Sequence, residues 1–600
     1  MRSAFFEFNV AASGLFTARG GLEVTSHNVA NAAAPGYSRQ IPKERATWPI
    51  TYYDGRGMVG TGSEVYGVDR MRDRFLDLKY WRDSSVMGEY GVKSAHMGVF
   101  EGIFAEMSDS GTLSGFDKFF QSMQDLSTTA GDDSYRASLL QAANGLSRFI
   151  NQTAGELKKR QREVNAEVAA VTRRISGVGA RIAALNGRIK SYEMDGSNAN
   201  DLRDERDRLL DELSSYVNIE TYETPSKDFE VTINGDEFVK GDFSRQLYAV
   251  ARDLPLARNP GSGARRNPWD AEELYDIHFE TGAKLDIYSA TLKGRLKGLI
   301  DVRDGNNEYF MRGSVSDAES VGNMLVVYAD ADGRLDIARF GAGDGKRGAI
   351  TVNDALGLPV ELTYDACSFN PALNRYEFQI TSHMPALVPN SPVTSGETTS
   401  YKGIAHYIDK LNELTRVFAK AVNEGLDRNG AAIPGVTGYV NGFDANGESL
   451  NKMFFTAGAN FSDYLDMTGE NFTVNNELMA NPALIAAASG DDGESANQIA
   501  LEFLELKNFQ GLFDEGKLSD YIISVAAELG AGVRQADRFD QYYGDVVVET
   551  DNLRKSVSGV DVNDEMMNLV KFQQLYQAAS KLINVVDFIY EFTVNKLGVT

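Results

Sequence analysis

Ile150, Ala154, Leu157, Gln161, Val164, Val168, Val171, Ile175, Val178, Ile182, Leu185, Ile189 and Tyr192 follow one another at alternating steps of four and three. That is an unbroken heptad seam, with β-branched residues at most positions. At 1.5 Å per residue the helix spans roughly 65 Å, too long for the core of an ordinary compact domain. The spacing therefore predicts a rod in this part of the chain. Asp195-Gly196-Ser197 turns it, and Leu202, Leu209, Leu213 and Tyr216 bring it back as a shorter antiparallel helix.

Both ends carry helical patterns with no partner nearby in sequence. At the N-terminus Ala4, Phe8, Ala11, Leu15, Ala18, Leu22, Thr25 and Val29 repeat in steps of four and three, with small residues that allow two helices to approach closely. Near the C-terminus Leu569, Phe572, Leu575, Ala579, Leu582, Val586 and Ile589 form a stripe, flanked by Met566, Tyr576, Ile583, Tyr590, Val594 and Leu597. A helix this long with so broad an apolar face must lie against another helix or remain mostly unfolded. The two ends are thus expected to pair, or else to be the first and last helices of a compact globule. A two-helix seam has little core of its own and is expected to depend on packing against other subunits. Phe8, Leu15, Leu22, Val29, Leu569, Phe572, Leu575, Tyr576, Leu582, Ile583, Val586 and Ile589 are the candidate assembly-interface residues.

Between the ends the period changes twice. Phe229, Val231 and Ile233 alternate with polar residues, Asn234-Gly235 supplies a tight hairpin turn, and Phe238 and Val239 begin the return. Strand signals continue through Leu285, Ile287 and Tyr288. A second set of strands is predicted at Met324 to Tyr328, Leu335 to Phe340, Ala349 to Val352, Val360 to Tyr364 and Tyr376 to Ile380, with Pro389 to Thr399 as a Pro/Ser/Thr-rich exit. Helices resume at Tyr407 to Glu424 and are expected again at Asn497 to Leu506, Leu518 to Gly530 and Gly532 to Leu553.

These patterns imply a fold class that is mainly α with β domains, a multi-domain α+β chain of elongated shape. Its expected parts are a terminal coiled coil made by 1–40 with 555–600, a helical rod domain in two halves at 41–216 and 401–554 with a turn-rich stretch at 425–495, a β-rich domain at 217–304, and an inserted β domain at 305–400.

Sixty basic against eighty-five acidic residues give a net charge of −25, which argues against nucleic acid or an anionic membrane as a partner, because both require a basic face. A lone cysteine, Cys367, rules out an intramolecular disulfide framework. No segment approaches the eighteen apolar residues of a membrane span, so no membrane insertion is expected. Arg2, Phe5, Phe6, Phe8 and Val10 imitate a signal peptide, but Glu7 and Asn9 interrupt the apolar run and its residues keep helical phase.

The search for chemistry is mostly negative. The five histidines, His27, His96, His278, His383 and His406, are scattered and none sits in H-E-x-x-H. Gly55-Arg56-Gly57-Met58-Val59-Gly60 matches a dinucleotide fingerprint in letters only, since the next residues, Thr61 to Tyr66, read as a hairpin rather than a helix. Asp330-x-Asp332-Gly333 and Asp427-x-Asn429-Gly430 lack the further ligands of a calcium loop and read as turns. Gly341 to Lys346 resembles a phosphate loop by composition alone, and Cys367 has no neighbouring histidine to activate it. No catalytic residue, cofactor or metal is assigned.

Wording at the two ends is more informative. The run Asn28-Val29-Ala30-Asn31 through Gly36-Tyr37-Ser38-Arg39-Gln40, the stretch Ser558-Gly559-Val560-Asp561 through Glu565, and Gln573-Gln574-Leu575-Tyr576-Gln577 resemble signatures of the bacterial flagellar axial proteins, the rod, hook and hook-associated family. Asn28, Asn31, Gly36, Tyr37, Arg39, Gln40, Ser558, Gly559, Val560, Glu565, Gln573, Tyr576 and Gln577 carry that resemblance. Arg70-x-x-Asp73-x-Phe75-Leu76 and Asn200-Asp201-Leu202-Arg203-Asp204-Glu205-Arg206-Asp207 are similar to the hook-associated branch. From charge alone the first reads as a solvated helix face and the second as acids favoured at a helix start. The resemblance implies a structural, non-enzymatic subunit at the hook–filament junction, self-assembled into a layer through its terminal helices. It also implies hook protein on one side, hook-associated protein 3 on the other, an export chaperone on the C-terminal segment, and secretion through the flagellar type III apparatus without a cleaved signal peptide. The alternatives are a hook or distal-rod subunit, or a junction protein whose inserted domain binds glycans or hydrolyses a substrate.

Overall fold

A single helix of 60 residues, α4 (Asp133–Tyr192), carries the central heptad and is about 90 Å long. Every seam position from Ile150 to Ile189 is buried, while Tyr192 is exposed on the last turn and takes no part. The helix begins well before the seam that the sequence outlines. Asp132 caps it by accepting the Ser134 N–H at 2.8 Å, and Leu139, Leu140, Ala143 and Leu146 extend its buried face onto α3 (Thr112–Thr128). The computed structural model describes residues 6–597 apart from 52–56, 106–111, 252–269, 284, 286, 288–290, 306–310, 317–318, 330–347, 354–358, 371–372, 374, 385, 390–391, 396–400, 428–429, 445–448, 450, 459–460, 462–463, 465–466, 487–496 and 514.

Helix α5 (Asn200–Tyr216) returns antiparallel to α4. It leads into a four-stranded sheet of β5 (Ile219–Glu223), β6 (Phe229–Ile233), β7 (Asp236–Lys240) and β8 (Phe243–Ser244), in that spatial order. Asn234 and Gly235 both adopt left-handed backbone, φ 52° and 86°, which matches the right-handed twist of the strands they join. The sheet packs on α4, where a Cβ on Gly179 would come 2.4 Å from the Phe238 ring. A second pair, β9 (Leu247–Ala251) with β10 (Tyr275–Phe279), lies along the same helix. Leu285 and Ile287 are buried but form no strand, and Tyr288 is outside the described residues. The buried Gln161 ties this region to the rod, donating to Asp270 Oδ1 at 2.8 Å and accepting the Ala271 N–H at 2.7 Å.

After α6 (Arg295–Asp304) the chain builds a closed six-stranded barrel from β11 (Met311–Val315), β12 (Met324–Ala329), β13 (Gly348–Asn353), β14 (Pro359–Asn370), β15 (Arg375–Ile380) and β16 (Pro392–Ser395). Its strand order is β11-β12-β15-β14-β13-β16. The expected strand at Leu335 to Phe340 lies outside the described residues. Part of the stretch read as an exit, Pro392–Ser395, is instead the closing strand. Proline is tolerated there because it sits at the strand's first residue.

Helix α7 (Ile404–Glu424) re-enters the body, and short elements come after it, among them α8 (Asn476–Ala480) and α9 (Gln498–Leu506). The two helices expected either side of Gly530 are one, α10 (Leu518–Ser558). Each glycine costs a helix about 1 kcal/mol. Here a continuous antiparallel contact with α2 (Arg74–Ala105) offsets that cost, with Arg554 beside Asp77 at one end, Ser94 donating to Asp537 further along, and Gly530 near Glu101 beyond it.

Candidate functional site

The terminal helices α1 (Phe6–Asn31) and α11 (Val562–Leu597) lie antiparallel along one another. On α1 the buried row is Ala11, Ala18 and Thr25 with Gly21 and Asn28. Phe8, Leu15, Leu22 and Val29 therefore stand beside the seam, half-buried or exposed, rather than in it, and Ala4 is outside the described residues. Small residues set this phase. A Cβ on Gly21 would come 2.4 Å from the Phe572 ring, so only glycine lets that ring seat.

On α11 the inward row is Glu565, Leu569, Phe572, Ala579, Ile583, Val586 and Tyr590, all buried or half-buried. Leu575, Leu582 and Ile589, placed on the apolar stripe by the sequence, face away. With Ala578, Val585 and Phe592 they form a second row at alternating steps of three and four, and all six are exposed. Tyr576 sits at the seam's edge, exposed, and Gln573 and Gln577 are exposed on the polar side. One helix thus carries two heptad rows, one satisfied by α1 and one open.

Where the coiled coil meets the body, the motifs of the two chain ends come together. Asn28, 1% exposed, makes four hydrogen bonds. Its amide nitrogen donates to the Gln40 carbonyl at 2.8 Å and to Glu565 Oε2 at 3.1 Å, and its oxygen accepts from the Tyr37 hydroxyl at 2.8 Å and the Gln40 N–H at 2.9 Å. Burial and the nearby charges of Asp201, Asp204 and Glu565 hold the Tyr37 phenol well above its ordinary range, which keeps it a donor. Arg39 Nε and Nη2 both lie 2.7 Å from Glu565 Oε1, and the Arg39 N–H donates to the Ser558 carbonyl at 2.8 Å. Gly559 ends α10 by donating to the Lys555 carbonyl, and Val560 is half-buried behind it. Asn31 donates to the His27 carbonyl, and Gly36, at φ 81°, turns the chain against Arg208.

The hairpin β1 (Gln40–Ala46) with β4 (Ser63–Arg70), extended by β2 (Ile50–Thr51) and β3 (Met58–Val59), leaves from this junction. The glycine run at 55–60 falls on that hairpin, with Gly55 and Arg56 outside the described residues, and strand β4 comes next rather than a helix.

Beneath the hub lies a layer that the charge pattern hides. Asp204 accepts from the Ser38 N–H and hydroxyl at 2.8 Å and from Arg70 at 2.6 Å. Arg70 also reaches Asp207 at 2.9 Å, and Arg72 grips Asp77 through two bonds. Burial acts first to raise Asp207, but Arg72, Arg70 and Arg206 together hold its carboxyl below the usual range. Arg554 clasps Asp211 through two 2.8 Å bonds and stacks over the Tyr80 ring at 4.0 Å. Arg70, half-buried, and Asp77, buried, are therefore ion-pair members, whereas Asp73 and Arg74 are exposed as a solvated face requires. Asp201, Asp204, Asp207 and Asp211 fall at steps of three and four, which puts them on one face of α5, and that spacing was the available signal.

Elsewhere the histidines sit in separate surroundings: His27 by Asp201, His96 by Glu167, His278 by the Gly282 carbonyl and His406 by Glu528. Among the described residues no group of His, Cys, Asp and Glu is placed to hold a metal, and no helix is long and apolar enough to cross a membrane. Burial pushes the Cys367 thiol up to about 12. Asp427 accepts the Ala431 N–H and so closes a turn, while Asp330-x-Asp332-Gly333 and Gly341 to Lys346 lie outside the described residues.

A family model described as the flagellar hook-associated protein FlgK helical domain matches residues 97–316, and one described as the flagellar basal body rod FlgEFG protein C-terminal region matches 556–596. Flagellar hook-associated protein 1 of Bacillus subtilis is 23% identical, covering 100% of this chain and 99% of its own. The proteins of the same name from Salmonella typhimurium and Escherichia coli are 25% and 24% identical, each covering 98% of this chain and 99% of its own. The chain is thus similar to the flagellar hook-associated protein 1 proteins over nearly its whole length. Its helical-domain match contains all of α4, and its C-terminal match contains Glu565 and nearly all of α11. Among solved structures, the flagellar hook junction protein FlgK from Burkholderia pseudomallei aligns over 80% of this chain and 100% of its own, at 14% identity and a TM-score of 0.44.

Proposed function

We propose that this protein is a structural subunit of the bacterial flagellum that joins hook to filament, built into the axial tube through its terminal coiled coil. The observation that carries the reading is the open heptad row on α11. Leu575, Leu582, Val585, Ile589 and Phe592 are each about half exposed (46–57%). Full burial of such side chains is worth about 1.5–3 kcal/mol apiece, so covering the row yields roughly 5 kcal/mol per subunit. A neighbouring copy supplies that cover, and assembly completes the burial that a lone coiled coil lacks. The polar junction fixes the direction in which the coiled coil leaves the body.

Hook protein contacts the layer on one side and hook-associated protein 3 on the other. Before assembly an export chaperone covers the C-terminal segment, and the subunit leaves the cell through the flagellar type III apparatus with no cleaved signal. The role is mechanical, with no catalysed reaction. The hook or distal-rod alternative draws on the C-terminal match at 556–596, whereas the helical-domain match at 97–316 favours the hook-associated reading.

The test replaces Leu575, Leu582 and Ile589 by Gln together. Because these side chains already face out, the free subunit keeps its helix content and melting temperature. In cells that depend on this copy, filaments fail to attach and motility is lost. Full motility with the triple variant overturns the reading.

A further inference from the structure

Among the described residues the barrel shares no core with the rest of the chain. Val315, Leu325, Val327, Ile350, Leu362, Tyr364, Phe378 and Val393 pack among themselves, separately from the cluster built around α4. Among the described residues its strands pair only with one another, and closure leaves none of their sheet edges open. The body contacts it through a neck. The chain departs at Gly305, which ends α6 at φ 72° by donating to the Asp301 carbonyl, and returns at Gly403, which precedes α7. A Cβ on Gly403 would come 2.3 Å from the Gly305 nitrogen and 2.9 Å from its Cα. The two crossings therefore touch, at about the separation of neighbouring residues in a chain, roughly 3.8 Å. The ground under the neck belongs to the body. Lys93 is held by Glu89 and Asp301, both at 2.7 Å, lies 4.4 Å over the Tyr401 ring, and connects α2 to α6 without using a barrel residue.

We propose that the Gly305–Gly403 neck is an insertion port and that the barrel is a passenger: the helical body folds without it, and incorporation at the junction does not draw on it. The second half rests on the junction reading. Two glycines in contact are what a port requires, because the ends of any inserted domain must pass through a gap with no room for side chains.

The test replaces residues 306–399 by a four-residue Gly/Ser loop, which keeps Tyr401 and Lys402. The expected result is a soluble protein whose body melts as in the full chain and which restores filament attachment. A body that no longer folds overturns the port. A folded body that fails to attach filaments overturns the passenger half, while the junction reading stands or falls separately on the Leu575, Leu582 and Ile589 triple variant. In the full chain, Phe378→Ala supplies an independent readout. It shifts the urea midpoint of the barrel alone and leaves the transition of the α-helical body in place. A single transition that moves as one unit overturns the proposal.

Discussion

Arg39 and Glu565 form an ion pair whose two members lose unequally when separated. Glu565 is 2% exposed at the start of α11, whereas Arg39 is 24% exposed and water reaches its guanidinium. Arg39→Ala strands a buried carboxylate with the Asn28 amide as its remaining side-chain partner, a loss of about 3–5 kcal/mol. Glu565→Ala removes the buried charge itself. It leaves a hydratable guanidinium and one Asn28 N–H short of an acceptor, a loss of about 1–2 kcal/mol. In the double variant no charge is stranded, so it resembles Glu565→Ala, and the coupling equals the Arg39→Ala loss, about 3–5 kcal/mol. Native-state hydrogen exchange of the α1 amides between Ala11 and Asn28 reads this directly. Tenfold faster exchange corresponds to about 1.4 kcal/mol, so Arg39→Ala accelerates it roughly a hundredfold to a few thousandfold, and Glu565→Ala by about tenfold. Equal acceleration by both, or a double variant equal to the sum of the singles, refutes the unequal-loss account.

Gly21→Val drives a side chain into the Phe572 ring and lowers the stability of the coiled coil by about 1–3 kcal/mol, whereas Gly21→Ala recovers about 1 kcal/mol of helix propensity against the same clash; thermal melts by circular dichroism separate the two, and Phe572→Ala added to Gly21→Val restores most of the loss. Acid stability has a local origin at the α4–α5 turn. There burial acts first to raise Glu193, but Arg203, the Ala199 N–H and Lys227 outweigh it and hold the carboxyl down to about 2. A carboxyl held below its unfolded value near 4.5 stabilises the fold above that pH and loses the contribution as pH falls toward 2. Glu193→Gln therefore flattens the stability profile between pH 4.5 and 2 in urea titrations, and an unchanged slope counts against it. Cys367, buried in the barrel and held as a thiol, reacts with maleimide only after unfolding, and rapid labelling of the native chain contradicts the burial.

Periodicity made the long elements legible, because every position of a helix seam repeats the same statement. From Ile150 to Ile189 there was no competing signal, and Asn234-Gly235 announced its turn through conformational freedom alone. Phase within a seam was harder to read. On α11, Leu575 and Leu582 are as apolar as Phe572 and Ile583, and α1 decides between them only through the space above Gly21. Size was read as a reason to be inside, whereas the absence of size on the partner helix selected the phase. Charge was misread for a related reason. Arg70 reads as part of a solvated face, and Asp204 and Asp207 as acids at a helix start, until chain segments more than a hundred positions apart bring opposite signs together. Strand β16 escaped notice because its pairing partners, β11 and β13, lie far back in sequence.

The coiled coil offers two different apolar rows, and that difference decides what kind of assembly it supports. If one row met its own copy across a two-fold axis, two subunits would satisfy each other and growth would stop. The α11 row from Leu575 to Phe592 is about 26 Å long, and the flank of α1 from Phe8 to Val29 is about 32 Å, so one can lie along the other with room to spare. Contact between unlike rows leaves each subunit with one of each unused, and addition continues around the layer. Leu22→Cys with Leu582→Cys in one chain distinguishes the two cases. Within a subunit Gly21 faces Phe572, so position 582 lies about 15 Å further along the helix, beyond the roughly 7 Å that a disulfide can bridge. Oxidation of the assembled layer should then give a ladder of covalent oligomers, and neither single variant should give one. A double variant that stops at dimers would mean the rows meet their own kind, and the open-ended mode of assembly would have to be abandoned.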